Sequence, residues 1–295
     1  MRSKSSTPAT AHKSALQDGL NAMVVVEKTP SAFGPLFDSH SHINSEEFDA
    51  DREQVVSRMR QAGLIGAMVI ACDLGEEAKL FEVIDAHPDF LCGAWALHPE
   101  YEDRREPTVE EIAAVCADPR IAAVGETGLD YYWCKGDLSW QKERFVRHIE
   151  AARMLKKPLI VHAREAEADA LEILIDNRAH ECGFVLHCYG GDADTARRAV
   201  DAGGLVSFTG VVTFKNAGAL RDVVKALPLE AIMIETDCPY MAPVPYRGKR
   251  CEPALVGEVA KTIAAVKGIE PELVAKTTTQ TALRFFHLPA CCRTI

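Results

Sequence analysis

LFDSHSH, residues 36–42, sets two imidazoles two residues apart directly behind a short apolar run. On a β-strand, residues i and i+2 point to the same face, so the rings of His40 and His42 can share one surface. Histidine is only of intermediate frequency in protein cores, so such a pair is an unusual way to build one. The stretch predicts a strand that brings two imidazoles to a single site.

Seven further apolar or β-branched runs follow along the chain, and segments with helical spacing separate them. Val55, Met59 and Ala62, for example, recur at i, i+4 and i+7, which indicates an amphipathic helix between the first two strands. A later helix is predicted to begin at Glu252–Pro253, because proline suits a first helical turn. The eight predicted strands contain residues 36–37, 67–71, 93–97, 121–124, 159–161, 184–186, 205–208 and 232–234.

Eight strands that alternate with helices predict a (β/α)8 TIM barrel of the α/β class. The typical size of that fold, about 250 residues, matches a single domain at residues 35–288. Residues 1–34 are rich in Ser, Thr, Ala and Lys without a sustained period, and we expect them to form a disordered tail. Residues 289–295 are expected to form a short C-terminal tail.

Composition limits the classes of partner. A net charge of −10 argues against a broad basic face that grips duplex nucleic acid. No apolar run reaches the roughly 20 residues that cross a bilayer, so no membrane association is expected. Ten cysteines without C-x-x-C pairs suit reduced thiols and a cytoplasmic protein. Nothing in the chain indicates an obligate protein partner, and we expect a monomer.

Polar residues follow the apolar runs where barrel enzymes carry their active groups, at the carboxyl ends of the strands. Glu126 ends the fourth run, His162 the fifth, His187 the sixth, and Asp237 follows the eighth. Together with the two histidines of the first strand, these side chains are predicted to converge at one rim. Taken singly, each histidine is more often a packing residue than a ligand. Six polar groups in one mouth would be costly to bury without a cation.

Four imidazoles and two carboxylates are the donor set of a divalent metal centre. Nitrogen ligands favour zinc, manganese or iron, whereas magnesium is held mainly through carboxylates and water. One or two ions fit this set, and we expect two, Mg²⁺, Mn²⁺ or Zn²⁺. Glu126 and Asp237 are the predicted catalytic residues: Glu126 could bridge the ions, and Asp237 could orient the attacking water or accept its proton.

Five motifs carry a family resemblance: DSHSH (38–42), GETGLDYY (125–132), HAR (162–164), LHCY (186–189) and ETDCPY (235–240). They resemble the signature blocks of the TatD-like metal-dependent deoxyribonucleases of the amidohydrolase superfamily, and within it the bacterial YcfH branch. The likeness runs from Leu36 to Leu288, and APVPYRGKRCEP (242–253) is especially specific. It implies a TIM barrel, a divalent metal centre and hydrolysis of phosphodiester bonds in DNA. The implied metal ligands are His40, His42, Glu126, His162, His187 and Asp237.

Other matching positions are candidate substrate contacts. His98 in ALHP resembles the family's histidine after the third strand, placed to meet a phosphate, although it could instead be a turn residue before Pro99. Arg164 points to the same side as His162 and could pair with phosphate. The alternative is a salt bridge from Arg164 to Glu165 or Glu167.

Two further segments have both a functional and a structural interpretation. Tyr131, Tyr132 and Trp133 could stack on the bases of a single strand, or could pack within a loop. The cluster from Arg247 to Arg250 could steer a phosphate chain towards the metals, or could be a solvated loop. Cys251 departs from the family pattern, which has asparagine there, so a weak thiol donor replaces an amide.

The leading hypothesis is a divalent-metal-dependent nuclease that acts on the ends of single-stranded DNA through a metal-activated water. The alternative is a metal-dependent carbonyl hydrolase, such as a D-aminoacyl-tRNA deacylase or an amidohydrolase, because the same chemistry attacks carbonyl carbon. Many binuclear amidohydrolases bridge their metals through a modified lysine on the fourth strand, where this chain has Glu126. That difference favours the nuclease. A third hypothesis is a non-catalytic binding barrel. It would require all six polar side chains to serve only as packing residues.

Overall fold

The computed structural model describes residues 34–288 and arranges eight strands side by side in chain order. Each neighbouring pair is parallel, which requires a crossover between consecutive strands. The two edges of the sheet meet at an isolated parallel bridge between Ser41 and Cys238. The strands are β1 (Leu36–Ser41), β2 (Leu64–Ala71), β3 (Leu91–Trp95), β4 (Ile121–Asp130), β5 (Leu159–Arg164), β6 (Phe184–Leu186), β7 (Leu205–Phe208) and β8 (Ile232–Ile234). The (β/α)8 barrel predicted from the alternation of runs is confirmed.

Helices form the outer layer of the barrel. They are α1 (Arg52–Gln61), α2 (Glu77–Ala86), α3 (Val109–Cys116), α4 (Ser139–Leu155), α5 (Glu167–Asp176), α6 (Ala193–Asp201), α7 (Gly218–Ala226), α8 (Val256–Lys267) and α9 (Pro271–Phe285). The predicted stripe of α1 is buried, with Val55 and Met59 inaccessible to solvent. The helix expected to begin at Glu252–Pro253 begins later, because Pro253–Leu255 form a 3-10 turn before α8.

Three strands extend beyond their predicted ends, and the first of them, β1, continues through His40 to Ser41. β4 continues through Glu126 to Asp130, and β5 continues through His162 to Arg164. After an irregularity between Val124 and Thr127, these two strands pair again from Thr127 to Asp130, with Gly128 opposite His162. The sequence interpretation ended each strand with its apolar run, but main-chain hydrogen bonds do not depend on the polarity of the side chains. Glu126 and His162 are therefore held within the sheet, on a more rigid support than a loop.

Gly128 allows this close pairing. It has φ +141°, and a Cβ atom at this position would lie 2.0 Å from the carbonyl oxygen of His162. Only glycine lacks the atom that would collide and also adopts such a φ without strain. The GETG motif thus has a structural part, which is to bring β4 against β5 beside the site.

Side chains fill the interior of the barrel and leave its carboxyl end polar. One buried cluster contains inward-facing residues such as Phe37, Met68, Ile160 and Met233. Phe286, just after α9, joins this cluster, and its ring centroid lies 6.4 Å from that of Phe37. Since the interior is a packed core, chemistry can take place only at the mouth.

Most residues of the predicted tails, 1–33 and 289–295, lie outside the described part of the chain. Within residues 34–288, no helix combines the length and the apolarity that crossing a membrane requires.

Candidate metal centre

Glu126 occupies the middle of the barrel mouth, with its side chain 5% exposed. Its Oε1 atom is 2.6 Å from His187 Nε2, 2.8 Å from His162 Nδ1 and 3.2 Å from His98 Nε2. These imidazoles come from three different strands or strand ends. One oxygen of a buried carboxylate thus has three ring nitrogens around it.

The second oxygen of Glu126 faces the histidines of β1. Its Oε2 atom is 3.2 Å from His40 Nε2 and 3.8 Å from His42 Nε2. The two Nε2 atoms are 3.2 Å apart, as expected for side chains at i and i+2. Asp237 Oδ1 closes this side, 3.4 Å from His42 Nε2 and 3.7 Å from His40 Nε2. All six residues predicted to converge are therefore in one cluster.

Asp237 has an unusual backbone. Its φ of +55° is left-handed, a region that residues other than glycine seldom adopt. Its N–H donates to the carbonyl oxygen of His40 at 3.0 Å, which ties the segment after β8 to β1. Such conformations persist where surrounding contacts over-determine them, and they concentrate at functional sites.

The electrostatics of the cluster follow from burial and close opposite charges. Burial alone would raise the pKa of Glu126, but the imidazoles of His187, His98 and His40 hold it well below its usual range. Burial would lower the pKa of His162, whereas hydrogen bonds from its ring to Asp130 and Glu126 raise that pKa to about 9. Burial would likewise lower the pKa of His187, but Glu126 and Glu235 raise it well above its usual value. The imidazoles and carboxylates of the cluster thus favour each other's charged forms.

The donor set fits divalent metal ions. Ligand atoms of His40, His42 and Glu126 all lie within 4.8 Å of one another, and so do those of His98, Glu126 and His162. Both groups contain Glu126, which faces them through different oxygens. Imidazole nitrogen and carboxylate oxygen are ligands of zinc, manganese and iron. A carboxylate with one oxygen towards each group can bridge two ions.

Asp130 is a buried member of the site that the sequence interpretation missed. Its Oδ2 atom is 2.9 Å from His162 Nε2, and its Oδ1 atom accepts the N–H groups of Tyr132 and Trp133 at 2.9 and 2.6 Å. Metal-binding histidines commonly donate their second ring N–H to a carboxylate, which sets the tautomer. The available signal was an acid inside the GETGLD motif, four residues after Glu126.

Glu235 is a second missed carboxylate. Its Oε1 atom lies 3.4 Å from His187 Nδ1 and accepts the N–H of Cys188 at 2.6 Å. Its Oε2 atom accepts the hydroxyl of Ser207 at 2.7 Å. The Sγ atom of Cys72, also missed, is 3.6 Å from Glu126 Oε2. In the sequence, the only signal for Glu235 as a site residue is its position in the ETD motif. No local pattern indicates that Cys72 lies at the site.

Asp130→Asn is expected to weaken metal binding by roughly 10–100-fold, the cost of losing a hydrogen-bond partner of a metal ligand. An amide that donates to His162 Nε2 would move the ring hydrogen to Nδ1, the nitrogen that faces Glu126. The new side chain could still accept the N–H groups of Tyr132 and Trp133, so the loop should keep its shape. Competition between the protein and a chromogenic chelator for Zn²⁺ or Mn²⁺ measures the effect. Equal affinity in the two proteins would remove Asp130 from this role.

Arg164 contacts two aromatic rings and not the neighbouring glutamates. Its guanidinium carbon lies 4.4 Å from the ring centroid of Tyr132 and 5.5 Å from that of Trp133. No ion pair with Glu165 or Glu167 is found among residues 34–288, so the salt-bridge alternative is wrong. Tyr132 and Trp133 are 43% and 46% exposed, which makes a packed loop the poorer description of these two rings. Tyr131 does pack, through a hydroxyl that donates to Asp169 at 2.8 Å.

The basic cluster after β8 is smaller than predicted. Arg247 is exposed and lies over Phe214, with 4.2 Å from its guanidinium carbon to the ring centroid. Arg250 is buried and pairs with both oxygens of Asp51, at 2.8 and 2.7 Å. Cys251 is buried, and its N–H donates to the carbonyl oxygen of Pro239 at 2.9 Å. Arg250 therefore stabilises the loop. Both of its terminal nitrogens donate to Asp51, so they are not available to bind a phosphate.

Comparisons with known proteins agree with this architecture. The model of a family described as TatD related DNase matches residues 37–287. The uncharacterized metal-dependent hydrolase YcfH of Escherichia coli (strain K12) is 38% identical over 261 residues, covering 86% of this chain and 97% of that protein. A Rahnella sp. (strain Y9602) protein named 3'-5' ssDNA/RNA exonuclease TatD is 30% identical over 261 residues, covering 86% and 99%. The crystal structure of YJJV, a TatD homolog from Escherichia coli K12, is similar with a TM-score of 0.80 at 25% identity, covering 86% of this chain and 98% of that one.

Proposed function

This chain belongs to the TatD-related DNase family of metal-dependent hydrolases, and from that membership we propose that it hydrolyses phosphodiester bonds at the ends of single-stranded DNA. The observation that carries the proposal is the placement of Glu126, whose two oxygens face two different sets of imidazoles. A relative whose name is 3'-5' ssDNA/RNA exonuclease supports the choice of substrate.

His40, His42 and Asp237 would hold one divalent ion and His162 and His187 a second, with Glu126 between the two groups. Mg²⁺, Mn²⁺ and Zn²⁺ are the candidate ions. When bound, such ions act as Lewis acids that make water more acidic and offset the negative charge that develops on an attacked phosphoryl group. The site is buried by the barrel wall, so these charges act with less screening than they would in water.

Asp237 is the proposed acceptor of the proton from the attacking water. Its side chain is 14% exposed, so it reaches the solvent at the mouth, whereas Glu126 does so much less. Its Oδ1 atom makes both imidazole contacts. We assign proton transfer to Oδ2. A positioned general base of this kind contributes roughly 10²–10⁴-fold to a rate.

The exposed aromatic pair is the proposed support for a nucleobase. Asp130 holds the backbone of Tyr132 and Trp133 with one oxygen and contacts His162 with the other, so the pair lies beside the centre. Every base has a π-face, so stacking on such rings retains a single strand without demanding a sequence. Arg164, already stacked on Tyr132, keeps its N–H edge available for phosphate. Arg247 is the second proposed phosphate contact.

The test is digestion of end-labelled single-stranded DNA by chelator-stripped protein, before and after Mg²⁺, Mn²⁺ or Zn²⁺ is restored. Cleavage should require the metal and should yield a ladder that shortens from one end. A blunt duplex of the same sequence should be cut about tenfold or more slowly, since each base stacked on an aromatic ring is worth about 1–3 kcal/mol.

Substrates labelled at the 5′ or the 3′ end serve as the control for direction. Protein with its metal bound that leaves DNA intact would contradict the proposal. The next substrate would then be D-aminoacyl-tRNA, which tests the carbonyl-hydrolase alternative at the same centre.

A further inference from the structure

The two sides of the barrel mouth carry opposite charge. Because the strands follow chain order around the barrel, the loops after β3 and β7 lie across the mouth from each other. The loop after β3 contains the half-buried Glu100, followed by the exposed Glu102 and Asp103. The two arginines next in this loop are each paired with a carboxylate. This side of the mouth is therefore negative.

The loops after β7 and β8 form the positive side. Lys215 follows β7, and Arg247 and Lys249 lie in the loop after β8; all three are exposed. No carboxylate among residues 34–288 lies within ion-pair distance of any of the three. The hydroxyl of Thr213 accepts the N–H of Val244 at 2.9 Å, which joins the two loops. Since a basic surface follows the backbone of a single strand, we expect the strand to leave the metal centre over this side.

Glu100 lies at the opposite end of that path. One of its carboxylate oxygens is within 4.8 Å of a carboxylate oxygen of Asp130, which holds the loop of Tyr132 and Trp133. In the part of the chain that the structure describes, no cation and no hydrogen-bond donor contacts the Glu100 carboxylate. Two carboxylates this close repel each other. A purely structural role would favour a cation beside Glu100, so its unpaired charge indicates a function.

Backbone contacts hold Glu100 in place. Its N–H donates to His98 Nδ1 at 3.2 Å. The carbonyl oxygen of Pro99 accepts from Gln141 Nε2 at 2.9 Å, and Gln141 Oε1 accepts the N–H of Asp130 at 3.1 Å. One fully buried side chain thus fixes the segment of Glu100 against the segment of Asp130. A carboxylate on such a support is positioned before a substrate arrives, which reduces the cost of binding.

From this arrangement we propose that Glu100 recognises the end of the strand: its carboxylate accepts a hydrogen bond from the free hydroxyl of the terminal nucleotide and repels an end that carries a phosphate. The inference rests on the proposed phosphodiesterase function. In a nucleotide, the sugar lies between the base and the scissile phosphate. A terminal base stacked on Tyr132 and Trp133 therefore brings its sugar to the side of Glu100. An internal nucleotide would bring the next phosphate there instead.

A third divalent cation is the alternative occupant, because Glu100, Asp130 and His162 each place one ligand atom within 4.8 Å of the others. Asp130 and His162 are already engaged with each other, at 2.9 Å, and the second oxygen of Asp130 accepts two backbone N–H groups. Glu100 would be the only free ligand of that group, whereas zinc in catalytic sites has three protein ligands. A single free carboxylate favours the hydroxyl over an ion.

The primary test uses single strands that end in a hydroxyl or in a phosphate, at the end from which the unaltered protein degrades DNA. We expect kcat/KM to be about 10²-fold or more higher for the hydroxyl end, the effect of close like charges on the other substrate. In Glu100→Gln, which keeps an acceptor oxygen without the charge, the ratio should fall below about tenfold. Glu102→Gln is the matched control and should keep the ratio. Equal rates for the two ends in the unaltered protein would overturn the proposal.

Lysine variants separate the path of the strand from the recognition of its end. Lys215→Ala and Lys249→Ala should weaken the binding of both strands equally. Each should also lower the salt dependence of binding by about 0.7 in the logarithmic slope. The ratio between hydroxyl and phosphate ends should stay unchanged. If it fell as far as in Glu100→Gln, the overall charge of the mouth would select the end, and Glu100 would lose its role.

Equilibrium binding keeps the inference separate from hydrolysis. A strand whose terminal linkage has a CH₂ group in place of the bridging oxygen cannot be cleaved there, and fluorescence anisotropy gives its Kd. The metal-loaded protein should bind the hydroxyl end more tightly than the phosphate end, and Glu100→Gln should narrow that difference. Elemental analysis should find equal metal in both proteins; one ion fewer in Glu100→Gln would overturn the proposal in favour of a third cation. Selective binding without cleavage of any DNA would refute the proposed function and retain the recognition of the end.

Discussion

Glu126→Gln is expected to eliminate metal-dependent hydrolysis and to lower the metal content of the chain. The amide has the size of the carboxylate but presents one oxygen and one N–H group, so it can no longer face an ion with each side. Its N–H group would also point at imidazoles that should offer lone pairs to a cation. The loss of activity should exceed the roughly 10–100-fold that follows from removing a mere hydrogen-bond partner of a ligand.

The barrel should remain folded in Glu126→Gln. The raised pKa values of His187 and His162 depend on the anionic Glu126, so both should fall when it is neutral. Fewer imidazoles are then positively charged at the mouth of the barrel. The variant therefore does not bury a cluster of unpaired positive charges that would destabilise the fold. Elemental analysis, circular dichroism and the DNA assay together check this result. Glu102→Gln, the same change on an exposed carboxylate after β3, is the matched control. Full activity with full metal content in Glu126→Gln would remove this residue from the centre.

Asp237→Asn is expected to lower kcat by about 10²–10⁴-fold at saturating metal, the range for a lost general base. Asparagine retains an oxygen that can face His42, so the ion should stay bound when metal is in excess. It also tolerates the left-handed φ of +55°, which alanine would adopt only with strain. The choice of asparagine therefore isolates the missing charge and proton acceptor from any change in the backbone.

Kinetics at several metal concentrations separate the two roles of Asp237. If the carboxylate accepts a proton, kcat should remain low at every concentration and KM for DNA should change little. If Asp237 serves only as a ligand, added Mn²⁺ should restore kcat. That restoration would contradict the assignment of proton transfer to its Oδ2 atom.

Much of the fold was predictable because it follows from local patterns. Each apolar run that the sequence interpretation took as a strand overlaps a strand of the barrel, and the predicted stripe of α1 is buried. The strand ends were less predictable, as β4 shows by continuing through Glu126 to Asp130. Pairing with β5 holds that segment, and a partner strand more than 30 residues away leaves no mark in the local pattern.

The six predicted ligands were also accessible from sequence, because strand order and strand direction place all carboxyl ends at one rim. The contacts that each side chain makes at this rim could not be predicted from the sequence. Arg164 stacks on Tyr132 instead of pairing with a neighbouring glutamate, and Arg250 forms an ion pair with Asp51. In both cases the arginine contacts a residue that is distant in the chain and that folding brings close.

The sequence by itself therefore determined the barrel, the family and the polar groups at its mouth, since periodicity and motif spacing are properties of short segments. The tertiary structure alone decided which group stands on the far side of each imidazole. Asp130 stands behind His162, Glu235 behind His187 and a backbone N–H behind His98. The physical reason is that Asp130 and Glu235 come from positions distant in the chain from His162 and His187, and no local pattern records which side chains folding brings together.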